Sequence, residues 1–270
     1  MTTVPDLAAR AAAGERLVVV TAYDYPTARL AARAGVDAIM VGDSLGMVVQ
    51  GRRDTLGVTL DQMVYHCEMV RRGAPEAVVI GDLPFMSYQA SPAQAVASAG
   101  RLVQEGGVAT VKLEGGERMA EQIRAIVRAD IPVMAHIGLT PQSIHRLGGY
   151  RVQRDRERLL ADAAAVAEAG AWAVVLECIP QRLAAEITGR LAIPTIGIGA
   201  GPACGGQVLV LHDLLGLTEG EPLRFVKRYA ELGATALEAL GRFAAEVRGG
   251  TFPTPDHGFG PPPEDGEAGG

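Results

Sequence analysis

The amino-acid sequence predicts a (β/α)8 barrel. Three features carry this expectation: eight short apolar runs, amphipathic Ala-rich segments between them, and a length of 270 residues, which suits one such barrel. In chain order the candidate strands cover residues 17–23, 38–41, 78–82, 110–113, 132–136, 172–176, 195–198 and 207–211. Each is a short continuous apolar run, as expected of a parallel strand buried on both faces. Helical periodicity fills residues 92–105, 117–129 and 156–169. Ser91 before Pro92 is an N-cap followed by a first-turn proline, and Gly35 and Gly170 stop helices. A last helix is expected over 222–247, with Phe225, Tyr229, Leu232, Ala236, Leu240, Phe243 and Val247 on one stripe. The link 199–206 between strands seven and eight is too short for a full helix. So many strand–helix alternations favour a closed barrel over an open doubly wound sheet. No domain boundary interrupts residues 1–257, which are expected to form a single catalytic domain. Residues 258–270, rich in Gly, Pro and acid, are expected to be a disordered tail.

Composition excludes several function classes. Apolar residues make up 48% of the chain and aromatics 4%, so Ala, Val, Leu and Ile must build the core. Lys and Arg number 25 against 31 Asp and Glu. The formal charge of −6, without basic clusters, argues against a nucleic-acid partner. Cys67, Cys178 and Cys204 are widely spaced, which suits reduced thiols and neither a disulfide framework nor a zinc site. No basic flank with a following apolar run opens the chain, and no apolar stretch reaches the ~18 residues of a membrane span. A cytoplasmic protein with no membrane partner is expected.

Polar residues gather at the C-terminal ends of the candidate strands. Asp43 and Ser44 follow the second, Asp82 ends the third, Lys112 and Glu114 stand at the fourth, His136 ends the fifth and Glu177 the sixth. In a barrel these ends meet at one face, where the active site lies. Asp43, Asp82 and Glu114 come from different strands and can converge on a hard cation such as Mg²⁺. Lys112 and Glu114, two apart, face the same side of a strand, where an ion pair plugging the barrel is the bland alternative. That alternative explains neither Asp43 nor Asp82. His136 reads equally well as a satisfied core histidine when taken alone. The run Gly197-Ile-Gly-Ala-Gly201 imitates a dinucleotide fingerprint, but it comes late in the chain without the following helix and acid, so a Rossmann reading is rejected. Cys178 beside Glu177 invites a nucleophile assignment, yet nothing places a base against it. Tyr65 and His66 fall in a helical stretch and read as packing or function alike.

Five motifs then identify a family. They are Val41-Gly-Asp-Ser-Leu-Gly-Met-Val-Val-Gln-Gly51, Asp82-Leu-Pro-Phe-Met86, Val111-Lys-Leu-Glu-Gly-Gly116, His136-Ile-Gly-Leu-Thr-Pro-Gln142 and Gly205-Gly-Gln-Val-Leu-Val-Leu-His-Asp213. In this order, from about Ala22 to Phe259, the chain resembles the ketopantoate hydroxymethyltransferase family. The resemblance implies transfer of a hydroxymethyl group from 5,10-methylenetetrahydrofolate to 3-methyl-2-oxobutanoate, giving 2-dehydropantoate for pantothenate and coenzyme A synthesis through a Mg-stabilised enolate. It implies a barrel of the phosphoenolpyruvate/pyruvate type, one Mg²⁺ per subunit, and a homo-oligomer, commonly a decamer. Motif by motif, it places Asp43, Asp82 and Glu114 at the metal, and Asp43, Ser44, Asp82, Lys112 and His136 at the substrate. Glu177, in Leu176-Glu-Cys-Ile-Pro180, matches the proton acceptor. The chain departs from the family at Arg52-Arg53-Asp54, where a His and then Ser-Thr are usual, and at Gly205, where Asp is frequent. Both departures are expected in loops beside the metal and folate positions. Two rivals remain at this stage: a carbon–carbon lyase or mutase sharing the enolate chemistry without folate, and a non-catalytic barrel whose carboxylates are structural.

Overall fold

The computed structural model describes residues 2–260. Within them, eight parallel strands close on themselves. They are β1 (Leu17–Thr21), β2 (Ala38–Val41), β3 (Val78–Asp82), β4 (Thr110–Glu114), β5 (Val133–Gly138), β6 (Ala173–Glu177), β7 (Thr195–Ile198) and β8 (Gly206–Leu209). β1 pairs with both β2 and β8, so no strand edge is left open. Helices Tyr25–Arg33, Leu60–Gly73, Pro92–Gln104, Ala120–Arg128, Arg156–Glu168 and Gln181–Arg190 follow the first six strands. Their starts are set by side chains that satisfy free backbone N–H groups. Asp24 accepts from the Thr27 amide at 2.8 Å, and Ser91 from the Gln94 amide at 3.1 Å. Thr59 and Gln62 form a capping box.

Strand alternation sorts the side chains into two cores. Val20, Ile39, Val79, Val111, Ala135 and Val174 face outward under the helices. Val19, Met40, Ile80, Met134, Val175 and Val208 fill the barrel, joined by Val4 and Leu7 of the preceding helix Val4–Ala12. Thr2 donates to the Glu76 carbonyl just before β3, which seats that helix at the N-terminal mouth. The same parity runs on to the other mouth. Asp82 follows Ile80 by two residues, His136 follows Met134, and Glu177 follows Val175. Polar side chains therefore continue the inner apolar layers. Register then sets Asp82 beside Lys112, Glu114 beside His136, and Gly138 beside Glu177. Gly138 has φ +99°, and a Cβ there would stand 2.3 Å from the Glu177 carbonyl oxygen, so only glycine permits this approach of β5 to β6.

The structure moves several expected boundaries. β1 ends at Thr21, while β4, β5 and β6 run one or two residues farther than the apolar runs, to Glu114, Gly138 and Glu177. Ladder bonds from neighbouring strands decide these ends, and polar residues join the ladder as readily as apolar ones. The helix expected from 117 opens as a 3-10 turn, Glu117–Met119, before Ala120–Arg128. The last helix is Leu232–Arg248, ten residues shorter at its start than expected. Before it, the Tyr229 amide bonds back to the Leu214 carbonyl, and Arg228 donates to the Thr218 and Gly220 carbonyls, which holds that segment as a loop. No residue of the helix is buried. The tail expected from 258 falls mainly on residues 261–270, outside the described residues.

Candidate active site

The C-terminal mouth of the barrel gathers residues from the ends of β2 to β6. Asp43, Asp82, Lys112, Glu114 and His136 are each 5% exposed or less. Asp82 is the hinge of the cluster: its Oδ2 accepts from Lys112 Nζ at 2.9 Å and from the Asp43 amide at 3.2 Å. Lys112 Nζ also reaches Glu114 Oε1 at 3.5 Å. His136 stands between two acids, with Nδ1 3.6 Å from Glu114 Oε1 and Nε2 3.3 Å from Glu177 Oε2. Neither ring nitrogen is aligned for a hydrogen bond. Glu177 is the most accessible acid here, with a side chain 16% exposed. Ser44 lies half-buried beside Asp43, its hydroxyl 2.7 Å from that of the buried Tyr23.

Electrostatics in this mouth are set first by burial. Burial pushes the Asp82 carboxyl up to about 7; Lys112 opposes the rise and Asp43 adds to it. Burial likewise holds Glu114 well above the usual carboxylate range, against the pull of Lys112. Burial works against the Lys112 ammonium, but Asp82, Glu114 and Asp43 outweigh it, so this lysine stays charged. Burial and Lys112 lower the His136 pKa below that of free imidazole, with Glu177 opposing, so the ring is neutral at pH 7. When Asp43, Asp82 and Glu114 are all ionised, Lys112 leaves two negative charges uncompensated in a nearly dry site.

A divalent cation fits that deficit. The donors are hard oxygens from separate elements, and Asp82 Oδ1 is buried with no hydrogen-bond partner. Among the described residues, no three His, Cys, Asp or Glu side chains are grouped closely enough to hold a metal ion as they stand. Mg²⁺ needs no such preformed cage, because it keeps several waters in its shell and can reach some oxygens through them.

The structure also places groups to which the sequence assigned no role. Gln142, buried in the segment after β5, donates through Nε2 to Asp43 Oδ2 at 2.9 Å, while its amide N–H donates to Glu114 Oε2 at 3.0 Å. Tyr88, buried after β3, donates to Gln142 Oε1 at 2.7 Å. Gln142 closes the quoted motif His136–Gln142, and that adjacency was the available signal. Cys178 is not activated: burial, aided by Glu177, pushes its thiol up to about 11. His66 packs through Nδ1 against the Tyr23 carbonyl at 2.6 Å, while Tyr65 is exposed. Of the two departures, Arg52-Arg53-Asp54 folds against the segment after Asp43, with the Arg52 amide bonded to the Gly46 carbonyl at 2.8 Å. Gly205 does not lie beside the site. It precedes β8 and accepts from the Leu17 amide at the start of β1, at the opposite mouth. The seven-residue link after β7 crosses the barrel height, which a local reading of the glycines could not show.

The fold is shared with solved structures. Over 95% of this chain and 93% of the other, it superposes on 2,3-dimethylmalate lyase, a PEP mutase/isocitrate lyase superfamily member, with a TM-score of 0.62 and 23% identity. It superposes on phosphonopyruvate hydrolase in complex with oxalate and Mg²⁺ with a TM-score of 0.64 and 14% identity, over 93% and 88% of the two chains. These likenesses and the closed barrel define a (β/α)8-barrel protein. The sequence profile of ketopantoate hydroxymethyltransferase matches residues 1–255. The 3-methyl-2-oxobutanoate hydroxymethyltransferase of Pelobacter propionicus is 56% identical over 260 residues, 95% of this chain and 97% of that one. The chain belongs to the ketopantoate hydroxymethyltransferase family, and it is an enzyme of the transferase class. No helix among the described residues is long and apolar enough to cross a membrane.

Proposed function

We propose that residues 1–257 form one catalytic domain that transfers a hydroxymethyl group from 5,10-methylenetetrahydrofolate to 3-methyl-2-oxobutanoate, giving 2-dehydropantoate in the cytoplasm. One observation carries the reading: three buried carboxylates, which outnumber the single nearby cation, face Lys112, His136 and Glu177 at one mouth of the barrel. Family membership supports the substrate pair, and support for folate comes from that membership alone.

Asp43, Asp82 and Glu114 are the residues to hold Mg²⁺, as the unpartnered Asp82 Oδ1 suggests. When bound, the ion supplies positive charge that offsets the charge growing on the keto oxygen as the C3 proton leaves. The chain's own residues do the rest. Lys112, fixed by Asp82 at 2.9 Å, adds a second positive charge in a low-dielectric mouth. Ser44 and Asp43 lie where they can bind the 2-oxo acid. Glu177, more open than the other acids, takes the C3 proton, with His136 packed 3.3 Å from its carboxylate. The resulting enolate carbon forms the new C–C bond to the one-carbon unit, both C–N bonds of that unit to folate break, water supplies the hydroxyl oxygen, and tetrahydrofolate leaves.

We also propose a homo-oligomer, consistent with a decamer. The support is helix Leu232–Arg248, which exposes Leu237 (74%), Leu240 (66%), Phe243 and Val247 in a single described chain. Incubating purified protein with 3-methyl-2-oxobutanoate, methylenetetrahydrofolate and Mg²⁺ tests the activity. 2-Dehydropantoate should form only with all three present. Carbon–carbon cleavage of a 2-oxo or 2-hydroxy acid without folate would place the chain with the lyases instead.

A further inference from the structure

Gln142 is a neutral side chain bound on every side within a charged cluster. Its Nε2 donates to Asp43 Oδ2 and to the Leu83 carbonyl, both at 2.9 Å. Its Oε1 accepts from Tyr88 Oη at 2.7 Å and Gln89 Nε2 at 3.0 Å. An amide has two donors and two lone pairs, so all four places are taken. The surroundings also fix its orientation. A flipped amide would set its oxygen against a carboxylate and a carbonyl, and its NH₂ against the Gln89 NH₂. One Gln142 residue thus touches two of the three carboxylates at the mouth, since its backbone N–H also bonds Glu114 Oε2 at 3.0 Å. Tyr88 also ties Gln142 to the Glu114 backbone, because its hydroxyl accepts from the Glu114 amide at 3.1 Å.

The consequence is a choice of oxygens. Asp43 Oδ2 and Glu114 Oε2 are engaged by Gln142, and Asp82 Oδ2 is engaged by Lys112 and the Asp43 amide. Asp82 Oδ1 has no partner, and Glu114 Oε1 has only long approaches, from Lys112 Nζ at 3.5 Å and His136 Nδ1 at 3.6 Å. We infer that Gln142 is a positioning residue that decides which oxygens of Asp43 and Glu114 are left to a divalent cation, with Tyr88 and Gln89 holding its amide in the required sense. It does so without adding charge; a glutamate at 142 would set a fourth acid against Asp43. This inference rests on the metal reading of the cluster given above.

The test uses the full chain without substrate and two measurements. Mg²⁺ affinity is read by isothermal titration, and Mn²⁺ as a probe ion is read by water-proton relaxation, which reports how many waters remain on the ion. Gln142→Met keeps the length and removes the amide. It should weaken Mg²⁺ binding by about 10–100-fold, the scale for lost outer partners of metal ligands, and change the Mn²⁺ hydration number. A purely structural role would lower the unfolding midpoint and leave both readouts alone; wild-type affinity and hydration in folded Gln142→Met overturn the inference. Should that variant fail to fold, Tyr88→Phe decides, because it keeps Gln142 and removes one bond that orients it. It should show a smaller change of the same kind, and unchanged values there also overturn the inference. If wild type binds neither ion, the metal reading itself is overturned, a result distinct from wild-type binding that Gln142 does not influence.

Discussion

Asp82→Asn separates what the cluster does for stability from what it does for function. Asp82 is fully enclosed, and burial raises its carboxyl from 3.8 to about 7. A folded-state pKa above the unfolded one means that the native chain binds the proton more tightly. Stability from this group is therefore intact below about pH 4, declines between pH 4 and 7, and is at its lowest above pH 7. Forcing the ionised form in metal-free protein at pH 8 costs up to about 4 kcal/mol. Asparagine removes that cost, and its carbonyl oxygen can still accept from Lys112 Nζ and the Asp43 amide. The weaker attraction to Lys112 offsets part of the gain. In EDTA at pH 8 the variant should thus be as stable as wild type or up to about 4 kcal/mol more so, at about 2–4 °C of Tm per kcal/mol. With Mg²⁺ the gap should shrink by the wild-type binding energy and reverse where the advantage in EDTA is the smaller. Saturating wild type at 100 times Kd adds about 2.7 kcal/mol, and the variant, lacking an anionic ligand, should gain little. Scanning calorimetry at pH 5 and pH 8, with EDTA and with Mg²⁺, reads all four states. A variant clearly less stable than wild type in EDTA at pH 8, or Mg²⁺ shifts equal in both proteins, would refute the reasoning.

Three further outcomes follow from the same geometry. Glu177→Gln should retain Mg²⁺ binding but lose roughly 10²-fold or more in turnover, and exchange of the C3 hydrogen of 3-methyl-2-oxobutanoate in D₂O, followed by NMR, should slow with it; unaffected exchange would move the base elsewhere. Lys112→Met strips the cation from Asp82 and Glu114, so urea unfolding at pH 8 should show a loss of about 3 kcal/mol or more, and an unchanged midpoint would show that the pair contributes nothing. Leu240→Asp with Phe243→Asp, on the open face of the last helix, should shift sedimentation toward smaller species; an unaltered assembly would mean that this face is not covered by another copy.

Much of the barrel was legible because its strands announce themselves locally. A parallel strand covered on both faces must be apolar throughout, and runs such as Val78-Val-Ile80 have no other ready use. The polar residues at their ends were legible for a related reason: parity two places Asp82 on the side of Ile80 and His136 on the side of Met134, whatever surrounds them. Family motifs supplied candidate roles that neither periodicity nor spacing contains. The last helix was legible as a stripe and illegible in its start, because the stripe runs back through Phe225 and Tyr229 while the Tyr229 amide bonds to the Leu214 carbonyl and the Arg228 side chain to the Thr218 carbonyl, which bends that segment away.

By itself, then, the sequence determined the alternation of strands and helices, the inward side of each strand, and the set of acids, lysine and histidine at one mouth. Closure decided the rest. The pairing of Asp82 with Lys112 and of Glu114 with His136 depends on the stagger of neighbouring strands, which no single strand encodes. The bridge from Gln142 to Asp43 joins residues 99 apart in the chain. The orphaned oxygen of Asp82 exists only because several elements together exclude water from it. Local sequence sets which way a side chain points along its own strand; what it meets there, and how far its proton affinity moves, is settled only when distant segments bury it together.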